Sequence, residues 1–331
     1  MEPKNIISAA EDALRRSAYD PKKLALLHTG AAMLFSLLIT LINYLLNQSM
    51  DAATGLAQMG SRAALGTVQS VLSMASTLLL PFWQVGFFYA ILKNLRTADG
   101  QCADLLEGFR RAGKVARLYI LLFFIAFLLV FLCAQLASIL ISFTPFWASI
   151  MTDAQSLLEN AAAAGQTSLS PEELTALLPA IVPTIVIMLL LLAVIGIPLF
   201  YRFRLVFFAL MDDAPGARAA LKRSGQLMRG YKRKLFRLDL QFWWYYAAMV
   251  LFSVIAYGDV ILPYLGVNLP LSTDALFFVT YGIYILLQTL LSWQYASQVQ
   301  TCYAVFYDRR KEALSQQETA PQMPQLPDIN P

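Results

Sequence analysis

Residues 118–142 read LYILLFFIAFLLVFLCAQLASILIS, a run without one charged side chain. As a helix it rises about 37 Å at 1.5 Å per residue, enough to cross a hydrocarbon core of about 30 Å. It is apolar on every face, which a helix packed in a soluble core rarely is. Working outward, runs of spanning length recur at 24–46, 71–92, 179–201, 240–263 and 275–298. The whole chain is 58% hydrophobic and 14% charged, against about 25% charged in soluble domains. These numbers exclude an ordinary soluble globule and predict an all-α, polytopic membrane helix bundle of six spans.

The basic residues orient that bundle. Of the 25 Lys and Arg, only Arg62 falls in a gap that hydropathy assigns to the outer side. The others fill the N-terminus, the gaps after the second and fourth runs, and the C-terminal end. Lys and Arg resist translocation, so both termini are expected in the cytoplasm. The formal charge of +4 then describes a positive inner rim and argues against a nucleic-acid partner. The first apolar run is too long for a cleaved leader and reads as a retained signal-anchor helix.

Three regions follow. Residues 1–22 form an amphipathic entry segment, with Ala9, Ala13 and Leu14 opposed to Glu11, Asp12, Arg15 and Arg16 and with Pro21 as its breaker. Residues 23–310 form the transmembrane domain. Residues 311–331, rich in Pro and Gln, cannot bury enough surface to fold and are expected to be disordered. No connector is long enough for a soluble domain. In the acidic outer segment 143–178, Ser170-Pro171-Glu172-Glu173 is a helix start. Pro179, Pro183 and Pro198 are expected to bend the fourth span.

The connector 202–239 carries the candidate binding residues. On a helical wheel from Asp213 as cap to Gly230 as stop, Ala217, Ala220, Leu221, Ser224, Leu227 and Met228 share one face. Arg218, Lys222 and Arg229 lie opposite, flanked by Arg223. Either the helix lies in the inner interface with its basic face toward anionic headgroups, or it is a solvated basic connector. Short stretches before the first, third and fifth spans (Ala13 to Arg16, Gly108 to Gly113, Leu227 to Gly230) suggest the same elbow used three times.

Reactive constellations are sparse. His28 is the sole histidine, which leaves a histidine-based metal site or a Cys/His pair without a second member; it reads as packed or facing the cytoplasm. Tyr257-Gly258-Asp259 resembles half of an aspartyl protease site but lacks a partner aspartate in any other span. Asp212-Asp213 precedes Pro215 and fits a helix start. Cys102, Cys133 and Cys302 form no CxxC and read as packing residues. Asn43, Gln84, Gln135 and Gln288 fit interhelical hydrogen bonds, or alternatively line a solute path. Trp243-Trp244-Tyr245-Tyr246 reads as an interfacial aromatic belt. No catalytic, cofactor-binding or metal-ligating residue is assigned.

The stretch from Tyr201 to Trp244, with Tyr201-Arg202-Phe203, Asp213-Ala214-Pro215, Ala220 to Ser224, Leu227 to Gly230 and Lys234-Leu235-Phe236, resembles the bacterial domain-of-unknown-function 975 membrane proteins. Pro263-Tyr264 and Ala304-Val305-Phe306-Tyr307 resemble that family's closing motifs, while Tyr245-Tyr246 departs from its glycine-rich run. The resemblance implies a polytopic bacterial plasma-membrane protein and supplies no biochemistry. The expected function is therefore a non-enzymatic integral membrane protein that engages anionic lipid or a membrane protein partner through basic elbows. The alternative is a permease for a small solute or lipid.

Overall fold

The computed structural model describes residues 2–17, 20–52, 57–143, 182–212, 214–264 and 272–319, with 152, 155–156, 266–267 and 270. Nearly all of the outer segment 143–178, including the helix start expected at Ser170, lies outside the described residues, as do Asp213 and residues 320–331. Among the described residues the chain is helical and has no strand. The elements are α1 (Pro3–Arg16), α2 (Pro21–Ala52), α3 (Ala57–Thr97), a 3₁₀ turn (Cys102–Leu106), α4 (Glu107–Arg110) and α5 (Ala112–Ser142). After them come α6 (Ile197–Phe203), α7 (Val206–Met211), α8 (Ala217–Leu227), α9 (Lys232–Asp239), α10 (Trp243–Ile255), α11 (Gly258–Tyr264) and α12 (Thr273–Thr319). Among the described residues, six stretches are long and apolar enough to cross a membrane: Pro21–Gln48, Ala64–Thr97, Ala112–Ser142, Val182–Met211, Lys232–Ile255 and Thr273–Gln317. The protein is a multi-pass, all-α membrane protein, as hydropathy predicts.

Local chemistry sets several boundaries. Pro21 opens α2 where its missing N–H costs nothing, and the Asp20 carboxylate caps the turn by accepting the Lys22 amide at 2.9 Å. Pro81 remains inside α3. A π-turn at Leu192–Gly196 directly precedes α6, whose second residue is Pro198; the wider turn accommodates the hydrogen bond that proline cannot make. Gly230 adopts φ of +78° just past α8 and ends it in the left-handed conformation that favours glycine.

The chain forms two compact units, Met1–Leu118 with Arg204–Pro331, and Tyr119–Phe203. In the smaller one, Phe123, Phe127 and Phe131 stack along one face of α5 at 6.3 and 6.4 Å, and all three are exposed, as lipid-facing side chains are. The larger unit is organised on α12, against which α2, α1, α10, α3, α11 and α8 pack. This helix is 47 residues long, or about 70 Å, twice what a membrane needs. It continues to Thr319, so residues 312–319 are helical, not disordered as the tail composition suggests.

Candidate functional site

The half of α12 that outruns the membrane is the core of a charged layer. Val299 and every residue from Cys302 to Tyr307 are buried, because α1, α8 and other connectors wrap that end of the helix. Ile6 and Ala10 of α1 are buried as well. Connectors that look too short for a domain thus pack together on α12. Ala304 to Tyr307, a closing motif in sequence, is its centre.

Asp212 lies at the heart of this layer, its side chain only 8% exposed. Arg96, at the end of α3, donates to both its oxygens at 2.7 and 2.9 Å and to both oxygens of Asp308 at 3.2 and 2.6 Å. Lys311 Nζ and the Tyr307 hydroxyl donate to Asp212 Oδ2 at 2.8 and 2.9 Å. Burial pushes the Asp212 carboxyl up, but the Arg96 and Lys311 hydrogen bonds outweigh it and hold the group well below the ordinary carboxylate range. Arg111 adds a bond to the Met211 carbonyl at 2.8 Å. Bidentate guanidinium–carboxylate pairs are the strong, orienting kind. The cluster ties α3, the α7–α8 link and α12 into one body. Asp212 is therefore a clasp, not the helix start its sequence suggests; α8 begins at Ala217, with Gly216 as its N-cap.

A second cluster lies nearby in sequence. Arg204 donates to the Tyr246 and Tyr303 hydroxyls at 3.2 and 3.0 Å, and the Tyr303 hydroxyl donates to Asp239 Oδ1. The aromatic run at 243–246 accordingly splits. Trp243 and Trp244 are exposed as a belt should be, whereas Tyr245 is buried and Tyr246 belongs to this cluster.

The four candidate headgroup residues separate as follows. Arg218, Lys222 and Arg229 are exposed and Arg223 is half-buried. The opposite face does not lie in a lipid interface: Ala217, Ala220, Ser224, Leu227 and Met228 are buried in the protein, where α8 packs on α7 and α12. That corrects the interfacial reading of α8 while leaving its basic face outward. On α9, Leu235 and Leu238 point inward, and Arg233, Phe236, Arg237 and Leu240 are exposed.

Polar residues inside the spans are only partly engaged: His28 Nδ1, Asn43 Oδ1 and Gln288 Oε1 are buried with no hydrogen-bond partner among the described residues. His28 is buried, its ring stacked on Phe87 at 4.3 Å and its Nε2 3.2 Å from Gln84 Oε1. Trp83 Nε1 donates to the His28 carbonyl at 2.9 Å. Gln288 is buried and Gln135 is exposed. Along the α2–α12 seam, Ser36 and Tyr281 hydroxyls meet at 2.8 Å, and the Tyr44 hydroxyl donates to Asp274 at 2.9 Å. Cys102, Cys133 and Cys302 are free thiols. Asp212 and Arg204 escaped sequence reasoning because their partners are remote in the chain; a charged residue adjoining an apolar run was the only signal.

A family model described as "Protein of unknown function (DUF975)" matches residues 4–313. No curated protein and no solved structure matches the chain.

Proposed function

The chain belongs to the DUF975 family of proteins of unknown function, and from that premise we propose that it is a non-enzymatic integral membrane protein whose basic layer gathers anionic lipid headgroups. The observation that carries this reading is a division among the cations. Arg96, Arg111, Lys93 and Lys311 are consumed by Asp212, Asp308, Glu107 and Asp104 inside the protein. Arg310 is buried, donating to the Leu227 carbonyl at 3.0 Å with its guanidinium 3.6 Å over the Tyr231 ring. Arg218, Lys222, Arg229, Arg233 and Arg237 are exposed on α8 and α9 and around them, with no side-chain partner among the described residues. Phe236, Leu240 and Trp243, all exposed, interleave with the last two. Basic residues mixed with large apolar ones are what a membrane-surface element presents.

In this reading the layer faces the cytoplasm of a bacterial cell, at the inner leaflet of the plasma membrane, where anionic lipid concentrates. Engagement of His28 by Gln84 and burial of Gln288 suit a static bundle better than a solute path, in which those amides would face an open cavity. Asp212, gripped by Arg96 and Lys311, is likewise not poised for chemistry. Each outward cation contributes about 1 kcal/mol of attraction to an anionic surface, screened by salt. Replacing Arg218, Lys222 and Arg229 together with Gln is expected to reduce the anionic lipid recovered with the purified protein, measured by lipid mass spectrometry. An unchanged lipid profile overturns the reading.

A further inference from the structure

Tyr257-Gly258-Asp259, unexplained by the basic layer, opens onto a recess of about 350 Å³ between α10, α11 and α12. Its wall includes Ser253, Tyr257 and Asp259, with Phe277, Tyr281 and Tyr284 of α12. The three α12 rings form a continuous ladder: Phe277 stacks on Tyr281 at 5.7 Å and 12°, and Tyr281 meets Tyr284 at 5.7 Å. The ladder is fixed from behind, since the Tyr281 hydroxyl bonds to Ser36 of α2 at 2.8 Å. The backbone leading into Asp259 is fixed too. A Cβ at the buried Gly258 would meet Thr280 Cγ2 at 2.7 Å, and the Thr280 hydroxyl is tied to the Leu276 and Phe277 carbonyls at 3.0 and 3.1 Å. Glycine therefore lets α11 lie directly on α12 and sets Asp259 beside the aromatic rings. Asp259 makes no hydrogen bond or ion pair among the described residues.

An unspent carboxylate beside four aromatic rings in a small half-open recess has a definite chemical preference. The ring faces carry negative potential and the carboxylate a full negative charge, while the Ser253 hydroxyl in the wall already donates to the Met249 carbonyl at 2.8 Å. Anions are repelled, and a strongly hydrated metal ion would find one carboxylate where it needs several oxygen ligands. A cation with a methylated or alkylated shell satisfies both components, since its charge faces the rings and the carboxylate without the loss of a tight hydration shell. We propose that this recess binds a small organic ammonium ion, held by Asp259 and by the Tyr257, Phe277, Tyr281 and Tyr284 rings. The ammonium can be a free solute or the choline headgroup of a lipid.

The test uses the full-length purified protein with choline as probe and its uncharged tert-butyl isostere as control. Binding is followed by saturation-transfer NMR and calorimetric titration. Choline is expected to bind and the isostere not. Asp259→Asn, which preserves shape, is expected to weaken choline by about tenfold or more at unchanged thermal stability. Phe277→Leu should weaken it by a smaller factor. In nanodiscs of phosphatidylglycerol choline binding should persist; its loss in phosphatidylcholine nanodiscs assigns the recess to a lipid headgroup, and its persistence there to a free solute. Equal binding of the isostere, or wild-type affinity in a folded Asp259→Asn variant, overturns the proposal.

Discussion

Gly86 and Gly108 lie at a crossing where backbone touches backbone. A Cβ at Gly86 would fall 1.8 Å from the Leu105 carbonyl oxygen, and one at Gly108 would fall 1.9 Å from that of Phe82 and 3.0 Å from the Gly86 nitrogen. The 3₁₀ turn and α4 thus press directly onto α3, which lets Phe109 reach Phe82, with ring centroids 5.6 Å apart, and holds Glu107 for Arg111 at 2.8 Å. Backbone cannot swing aside as a side chain can. Gly86→Ala and Gly108→Ala are each expected to destabilise by about 3 kcal/mol, at the upper end of overpacking costs. Gly30→Ala, where a Cβ meets nothing within 4 Å, should instead stabilise α2 by roughly 0.5–1 kcal/mol. Thermal unfolding in detergent reads all three, and a neutral Gly108→Ala contradicts the crossing.

The Asp212 clasp makes stability depend on acid. Because its neighbours hold the folded carboxyl below the unfolded value of about 3.9, the ionised clasp contributes fully above that pH. The contribution drains away as pH falls toward the depressed folded value. Unfolding between pH 7 and 3 should show a loss at the acid end that Asp212→Asn flattens. At neutral pH Asp212→Asn should cost roughly 1–3 kcal/mol, moderated because Arg96 keeps Asp308. A wild-type acid limb in the variant excludes the clasp as its source.

Packing governs His28. His28→Ala removes a ring stacked on Phe87 and leaves Gln84 without its partner, so a loss of about 2–3 kcal/mol is expected. Lipid recovery should stay unchanged, measured on the folded fraction at reduced temperature. An unaltered melting temperature would show that the ring contributes little to the bundle.

Charge also yields an expected topology. Reporters fused after Tyr307 and within 93–117 should both report cytoplasm, and one within 155–170 the exterior. A cytoplasmic signal from the 155–170 fusion breaks the six-span order.

The spans were legible because their cause is local: about 20 apolar residues in a row have one stable fate in a bilayer. The Gly230 stop was legible for the same reason, and so was the break at Pro21. The clasp was not. Arg96, Tyr307 and Lys311 stand 116, 95 and 99 residues from Asp212, and in sequence the aspartate is one of a carboxylate pair before a proline. The wheel of α8 predicts an apolar and a basic side, but periodicity reports only that a face is apolar. It does not say whether lipid or protein covers it, and here α7 and α12 do. Tyr257-Gly258-Asp259 carried a signal whose meaning depended on Phe277, Tyr281 and Tyr284, which only the packing of α11 on α12 brings beside it.

No proline interrupts α12 between Thr273 and Thr319. Tyr281 of the aromatic recess and Asp308 of the clasp are therefore two marks on one stiff rod, about 40 Å apart. A rod without a hinge cannot bend to satisfy one end alone. If it tilts, rolls or slides to suit whatever touches the rings, the Asp308 carboxylate and the Arg96 fork that grips it must travel too. Whatever moves the rings at one end of this helix therefore also moves the charges around Asp308 at the other.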